Sequence, residues 1–437
     1  MTKCAFIPNF LRFYNILWQL ALPFLRRNRR LTHSFERRTG WMHFEPADIW
    51  LQAASAGEAF LALSILNTLA PESPVRILVT TTTDQGMEIL ENGVADTRLH
   101  PHIRLKLDLF PFDIPETVTR AVERISPKVM VLLETELWPA LLYALKTIGT
   151  RILILNARMS AKSARHYRAT RFIWKHMAPD RILATSPVDV QRWARVFPGS
   201  DIAFMENIKF DIMDTGPDAV DGNDTCQVAA LFDNGLPLSI LASVRRQEEP
   251  ELAGIIQDLR KAIPEQIIAV FPRHMHRVSH VSRLLKRKRI PFVLRSELPA
   301  SISSPPVSSP TVILWDRFGE LRKAYSLADS VFVGGSLRPL GGQNFIEPAV
   351  LGVPTVTGPF WDDFIWVGNG IFEREIVNRC NTPAEVAAAM VSHLKGHYNI
   401  NDRRQKAQDY IQAHRGGSKT ACLDILNALK NFSPSHF

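Results

Sequence analysis

Cysteine is scarce in this chain: 437 residues hold four, Cys4, Cys226, Cys380 and Cys422, far apart and never in a C-x-x-C pair. That excludes a disulfide-stapled module, leaves no zinc or dithiol spacing, and fits a reducing compartment. Also missing are a Walker lysine loop, a G-x-G-x-x-G turn and an Asp-x-Asp pair. Nucleoside triphosphate hydrolysis and ordinary dinucleotide binding lose ground accordingly. No low-complexity tract or solenoid repeat occurs, and no uncharged apolar run is long enough to span a bilayer. What is abundant is ordinary core material, with 46% hydrophobic against 22% charged residues, enough for two or three globular domains. The balance of +9 favours anionic partners: nucleic acid, phosphorylated substrates or acidic lipid.

The N-terminus departs from that pattern. Residues 5–25 read AFIPNFLRFYNILWQLALPFL, apolar and aromatic but interrupted by Pro8, Asn9, Arg12, Asn15 and Gln19, and Arg26, Arg27, Arg29, Arg30, Arg37 and Arg38 follow. Basic residues after an apolar stretch are the reverse of a cleaved signal peptide. The order predicts a helix lying in a membrane interface, with Tyr14 and Trp18 at headgroup depth and the arginines on acidic lipid. If it spans, the positive-inside bias puts everything after residue 30 in the cytoplasm. The alternative is an amphipathic helix packed on the protein's own core.

From residue 45 onward, short apolar runs alternate with helical segments, the pattern of parallel sheets with helical crossovers. Strands are predicted at 49–54, 75–82, 129–134, 151–156 and 181–185, with helices such as 59–69 and 116–125 between them. An acidic, Gly- and Asp-rich stretch at 211–236 reads as a linker. The alternation resumes at 238–243, 266–271, 291–294, 311–315, 330–335 and 354–358, while SSPPVSSP at 303–310 reads as an exposed loop. The expectation is α/β: two Rossmann-like domains facing a central cleft, divided as 1–30 for the N-terminal helix, 31–215 for the first domain and 216–437 for the second.

Chemistry concentrates at the ends of these strands. VFVGGSLRPLGGQNFIEPAVLGVP, residues 331–354, runs from a strand through two glycine pairs into a helix start. Such a turn exposes backbone N–H groups to an anion, or is only tight. Glu347, just inside the helix, is placed to accept from ribose hydroxyls. FPRHMHRV at 271–278 puts Arg273 and His274 at the ligand-binding edge of an α/β sheet, and Arg273 has the forked geometry for phosphate. A basic surface loop is the plain alternative. In the first half, LQAASAGEAF places Glu58 in the first turn of a helix, either as a helix-start charge or as a general base. Glu134 and Glu136 end the 129–134 strand and, by period-two geometry, project to one side.

The ordered blocks ASAGE (54–58), TTTTDQG (80–86), ETELWP (134–139), LNARMSAKSAR (155–165), NIKFD (207–211), PRHMHR (272–277), GELRKAY (319–325) and the 334–354 segment closely resemble the 3-deoxy-D-manno-octulosonic acid (Kdo) transferases of lipopolysaccharide synthesis. The resemblance covers residues 45 to about 360, and the N-terminus resembles the family's membrane anchor. It implies a GT-B inverting glycosyltransferase that moves Kdo from CMP-Kdo to a lipid A precursor at the cytoplasmic face of the inner membrane, without cofactor or metal. By the same resemblance Glu58 is the general base. Ser55, Gly57, Glu134, Glu136 and Arg158 lie on the acceptor side, and Lys209, Arg273, His274, Gly335, Ser336, Asn344 and Glu347 serve the donor.

The chain departs from the family in having Gln52 and Gln343 where histidine is common, Glu206 where glycine is common, and LASVRR for the usual G-S-T segment at Ser243. Two rival readings are a transferase using a nucleotide-diphosphate sugar and a non-catalytic membrane-surface homologue. Nucleic-acid binding is disfavoured, because the positive charge lacks interleaved aromatic residues.

Overall fold

The computed structural model describes residues 6–27, 34–213, 228–229, 231–232, 235–298 and 311–432. Arg29, Arg30, Cys4, Cys226, the 303–310 loop and most of the 211–236 linker lie outside them. The chain forms two compact units, Met1–Met213 with His414–Phe437, and Asp214–Ala413. Each is a seven-stranded parallel sheet between helices.

In the first unit the strands are β1 (Ile49–Ala53), β2 (Val75–Thr81), β3 (Ile103–Leu109), β4 (Val129–Leu133), β5 (Arg151–Ala157), β6 (Arg181–Ala184) and β7 (Asp201–Phe204). They lie in the order β3-β2-β1-β4-β5-β6-β7. The central strands are fully buried, because helices cover both faces of a parallel sheet. β1 pairs with both β2 and β4, so the order reverses between β1 and β4. Ligands bind outside the carboxyl ends of strands at such a switch point.

The second unit has β8 (Leu238–Val244), β9 (Ile267–Pro272), β10 (Phe292–Leu294), β11 (Val312–Leu314), β12 (Ser330–Val333), β13 (Thr355–Thr357) and β14 (Val377–Arg379). Their order is β10-β11-β9-β8-β12-β13-β14, with the reversal between β8 and β12.

The last helix, Gly417–Lys430, packs in the first unit, although sequence reading places 216–437 in the second domain. Two carboxylate oxygens of Asp211 explain it, accepting from the Gly416 N–H (2.7 Å) and the Ser418 N–H (2.6 Å). Asp211 thereby satisfies donors at the helix start that nothing else in the helix can reach.

The helix Phe6–Arg26 also belongs to the first unit, and its sequence expectation needs correcting. Tyr14 and Trp18 face inward: the Tyr14 hydroxyl donates to buried Asp113 at 3.1 Å, and the Trp18 ring lies 5.6 Å from that of Phe112. Arg38 is buried over Phe112 and donates to the Phe110 carbonyl, and Arg37 pairs with Asp108. Both of these arginines are thus tied to the first unit. The outward stripe is instead Phe13, Ile16, Leu17, Leu20 and Phe24, all exposed and on one face of the helix, at relative positions 0, 3, 4, 7 and 11. No helix among the described residues is long and apolar enough to cross a membrane.

Candidate functional site

β1 stops at Ala53, and Ser55 caps the helix Ala56–Thr68 that follows. The cap is reciprocal: the Ser55 hydroxyl oxygen accepts from the Glu58 N–H (3.3 Å), and the Ser55 hydroxyl donates to one Glu58 oxygen (3.0 Å). The other Glu58 oxygen accepts from the Ala54 N–H at 2.8 Å. Gly57 lies in the same first turn. The carboxylate is thus fixed at the end of β1 but receives only one backbone donor, and its side chain is buried.

β4 ends at Leu133, one residue earlier than the sequence suggests. Glu134 then adopts a left-handed φ of 54°, so Glu134 and Glu136 sit in a turn and the period-two expectation for the pair fails. The turn nevertheless brings both carboxylates into the field of Glu58. Burial, then Glu136, then Glu134 raise the Glu58 carboxyl to about 7, against the opposing hydrogen bonds from Ala54 and Ser55. Glu136 is raised as well, by burial and by Glu134, while the Trp138 indole donates to it at 2.8 Å. Glu134 carries two ion pairs. Lys209 reaches it at 2.9 Å and Arg158 at 3.5 Å, so these two cations hold a carboxylate of the first unit.

Nearby, Gln52 is buried on β1 and accepts from the Thr80 hydroxyl, leaving its Nε2 without a partner among the described residues. Glu206 is raised by burial and by Asp211, with His414 opposing.

In the second unit the segment after β12 was expected to offer its amides to an anion. The amides of its first glycine pair are already used, Gly334 N–H on the Ala242 carbonyl and Gly335 N–H on a carboxylate. Glu248, buried after β8, accepts from Gly335 N–H (2.6 Å), Ser336 N–H (2.9 Å), Leu337 N–H (2.9 Å) and Arg245 N–H (3.0 Å). The Ser336 hydroxyl donates to the Val333 carbonyl and accepts from Gly358 N–H. Any donor contact by Gly335 or Ser336 therefore excludes these N–H groups. Gly335 has a φ of 69°, and a Cβ there would stand 3.0 Å from Gln343 Cγ, so glycine meets both a conformational and a packing demand.

Sequence reasoning missed Glu248. The signal was present, a carboxylate four residues beyond the last apolar residue of a central strand, but it reads as one of three surface acids in EEPE.

Asn344 and Glu347 are joined, the Asn344 amide donating to Glu347 at 2.8 Å. Crowding by protein raises Glu347, although its edge is exposed; Asn344, Arg322 and Arg273 pull the other way. Arg273 follows β9 and is exposed, as is His274. Partial desolvation and the charges of Arg273, His276 and Arg245 hold the His274 ring below its ordinary value. Arg277 of the same segment is committed elsewhere, forming a forked pair with Glu249 at 2.8 and 2.7 Å. Arg273, His274, Asn344 and Glu347 are thus brought to one edge of the second sheet. Among the described residues no group of three or more His, Cys, Asp or Glu is arranged to hold a metal ion.

Residues 33–212 match a family model described as 3-deoxy-D-manno-octulosonic-acid transferase (kdotransferase). A 3-deoxy-D-manno-octulosonic acid transferase of Haemophilus influenzae is 28% identical over 387 residues, 87% of each chain. Its counterpart in Bordetella pertussis is 31% identical over 327 residues, 73% of this chain and 72% of that one. Two solved structures share the fold. A glycosyltransferase from Rickettsia africae matches with a TM-score of 0.56 and 10% identity, over 89% of this chain and 100% of that one. Anabaena HepE, in complex with UDP and glucose, matches with a TM-score of 0.54 and 13% identity, over 88% and 99%. Two parallel-sheet α/β units with these neighbours are consistent with the GT-B type. Carrying the family's domain and most of the length of its members, the chain belongs to the 3-deoxy-D-manno-octulosonic acid (Kdo) transferases and is a glycosyltransferase.

Proposed function

We propose that this chain transfers Kdo from CMP-Kdo to the disaccharide of a lipid A precursor (lipid IVA), in lipopolysaccharide synthesis, with inversion at the anomeric carbon. The observation that carries the reading is Glu58: a buried carboxylate at the sheet's switch point, oriented by Ser55 and Ala54, and raised to about 7 by burial and by two neighbouring carboxylates. A general base near neutrality is both ionised enough to act and basic enough to take a proton.

The acceptor hydroxyl gives its proton to Glu58 as its oxygen bonds to the anomeric carbon of Kdo. The bond from that carbon to the CMP phosphate oxygen breaks, and CMP leaves with the electron pair. Glu134, neutralised by Lys209 and Arg158, and Glu136 shape the acceptor side. In the second unit Arg273 and His274 serve the departing phosphate, while Asn344 and Glu347 serve the ribose. A nucleoside monophosphate carries modest charge, so fixed cations suffice and no metal is required.

The exposed stripe of the N-terminal helix, next to Arg12, Arg26 and Arg27, suits an interface helix whose inner side is glued to the first unit and whose outer side enters lipid. It would hold the enzyme on the cytoplasmic face of the inner membrane, beside an acylated acceptor.

The test is transfer from freshly made CMP-Kdo to tetraacylated bisphosphorylated disaccharide with EDTA present. Product from the native chain and near-complete loss in folded Glu58→Ala support the reading. Undiminished transfer by that variant removes Glu58 from the role.

A further inference from the structure

The helix Ala161–Ala169 buries none of its nine residues. Its inner side only rests on the core through Ala164 and Tyr167, the Tyr167 ring lying 5.4 Å from that of Trp174. Its outer side carries Lys162, Arg165 and His166 at relative positions 0, 3 and 4, one face of a helix. Together with Ser163, Tyr167 and Ala169 they line a groove of about 640 Å³. No carboxylate among the described residues forms an ion pair with Lys162, Arg165 or His166.

Two further observations tie this helix to the Glu134–Glu136 turn. The Tyr167 hydroxyl is raised by burial and by the negative charge of Glu136. The chain just before the helix is tied to the same turn, Arg158 pairing with Glu134 and the Thr135 hydroxyl donating to the Arg158 carbonyl. The helix start is capped, with the Ser160 oxygen accepting from the Ser163 N–H at 3.0 Å. Exposed cations on a helix tied to that turn, without a carboxylate paired to them among the described residues, are suited to hold an anionic group of a substrate.

We propose that the groove is a phosphate subsite for the acceptor, in which Arg165 makes a forked contact with a phosphomonoester, Lys162 supplies a second charge and His166 a further hydrogen bond. This rests on the reading of the chain as a transferase acting on a phosphorylated disaccharide.

Lys162→Ala/Arg165→Ala is to be compared with the native chain on bisphosphorylated acceptor and on acceptor stripped of either phosphate, in neutral detergent micelles. The expected result is a KM for bisphosphorylated acceptor raised about tenfold with kcat within about twofold, and loss of that penalty on one of the two stripped acceptors. An equal penalty on all acceptors, or none on any, overturns the subsite. Binding to phosphatidylglycerol vesicles separates the other phosphate source: a variant impaired only there has a lipid-headgroup site instead, which also overturns the proposal. If the native chain transfers no Kdo, the broader reading fails, and equilibrium binding of water-soluble glucosamine disaccharide bisphosphate decides the subsite alone. Weakened binding in the double variant supports it, and unchanged binding overturns it.

Discussion

In each unit a carboxylate follows the first strand and faces the turn that ends the strand paired with it across the topological reversal. After β1 it is Glu58, facing the Glu134–Glu136 turn after β4; after β8 it is Glu248, facing the Gly334–Leu337 turn after β12. Glu248 receives four backbone N–H groups, and every donor of the glycine turn that it touches is satisfied. Glu58 receives one N–H and one hydroxyl, and its partner turn supplies negative charge instead of donors. Equivalent positions have thus been put to opposite uses. Saturation with N–H groups makes a buried carboxylate the structural centre of a loop. Under-saturation beside like charge leaves lone pairs and a raised affinity for a proton, which is what a base requires.

The comparison breaks first at Glu58. Replacing it with Gln keeps the size and removes the base, so transfer should fall by roughly 10²–10⁴-fold with thermal stability preserved; steady-state assay beside calorimetry checks this. Next comes Glu248→Ala, which strands four N–H groups, three of them buried. It should lower unfolding free energy by about 3 kcal/mol or more in denaturant titration, with Glu248→Gln intermediate because one acceptor oxygen remains. A Glu248→Ala variant as stable as the parent would make the two carboxylates alike after all.

A smaller effect separates the reaction from its location. Leu20→Ser with Phe24→Ser removes two outward apolar side chains and should weaken binding to acidic vesicles by about tenfold or more, leaving transfer to a detergent-dispersed acceptor unchanged. A pH-dependent effect concerns Asp113, fully buried and pushed to about 7 by burial although Ala140 N–H, Leu141 N–H and the Tyr14 hydroxyl all donate to it. Its folded-state value lies above its unfolded one, so its contribution to stability is complete below about pH 4 and is lost as pH rises through 7. Tm should therefore decline across that interval, and Asp113→Asn should flatten the decline.

Much of this was legible in the sequence because central parallel strands are continuous apolar runs, and β1, β4, β5, β8, β9 and β12 all read that way. The strands that escaped, β3, β7 and β14, lie at sheet edges or in short pairings. IRLKLDL alternates charge with apolar residues, DIAF exposes both its ends, and VNR has only three residues. Glu58 was legible through its place after a strand and at a helix start. The Glu134 turn was not, because a left-handed residue closing a strand leaves no mark when it is not glycine. Nor was the return of the last helix to the first unit, which depends on Asp211 meeting residues more than two hundred positions away.

The central claim is that like-charged neighbours help tune Glu58 into a base, and the pH dependence of kcat/KM tests it most directly. The native enzyme should gain activity with rising pH about a midpoint near 7, as Glu58 ionises. Glu136→Gln, which removes the larger of the two repelling charges, should move that midpoint to lower pH while burial keeps it above the ordinary glutamate value. A midpoint that stays in place in Glu136→Gln, or a native profile flat between pH 5 and 8, would contradict the account.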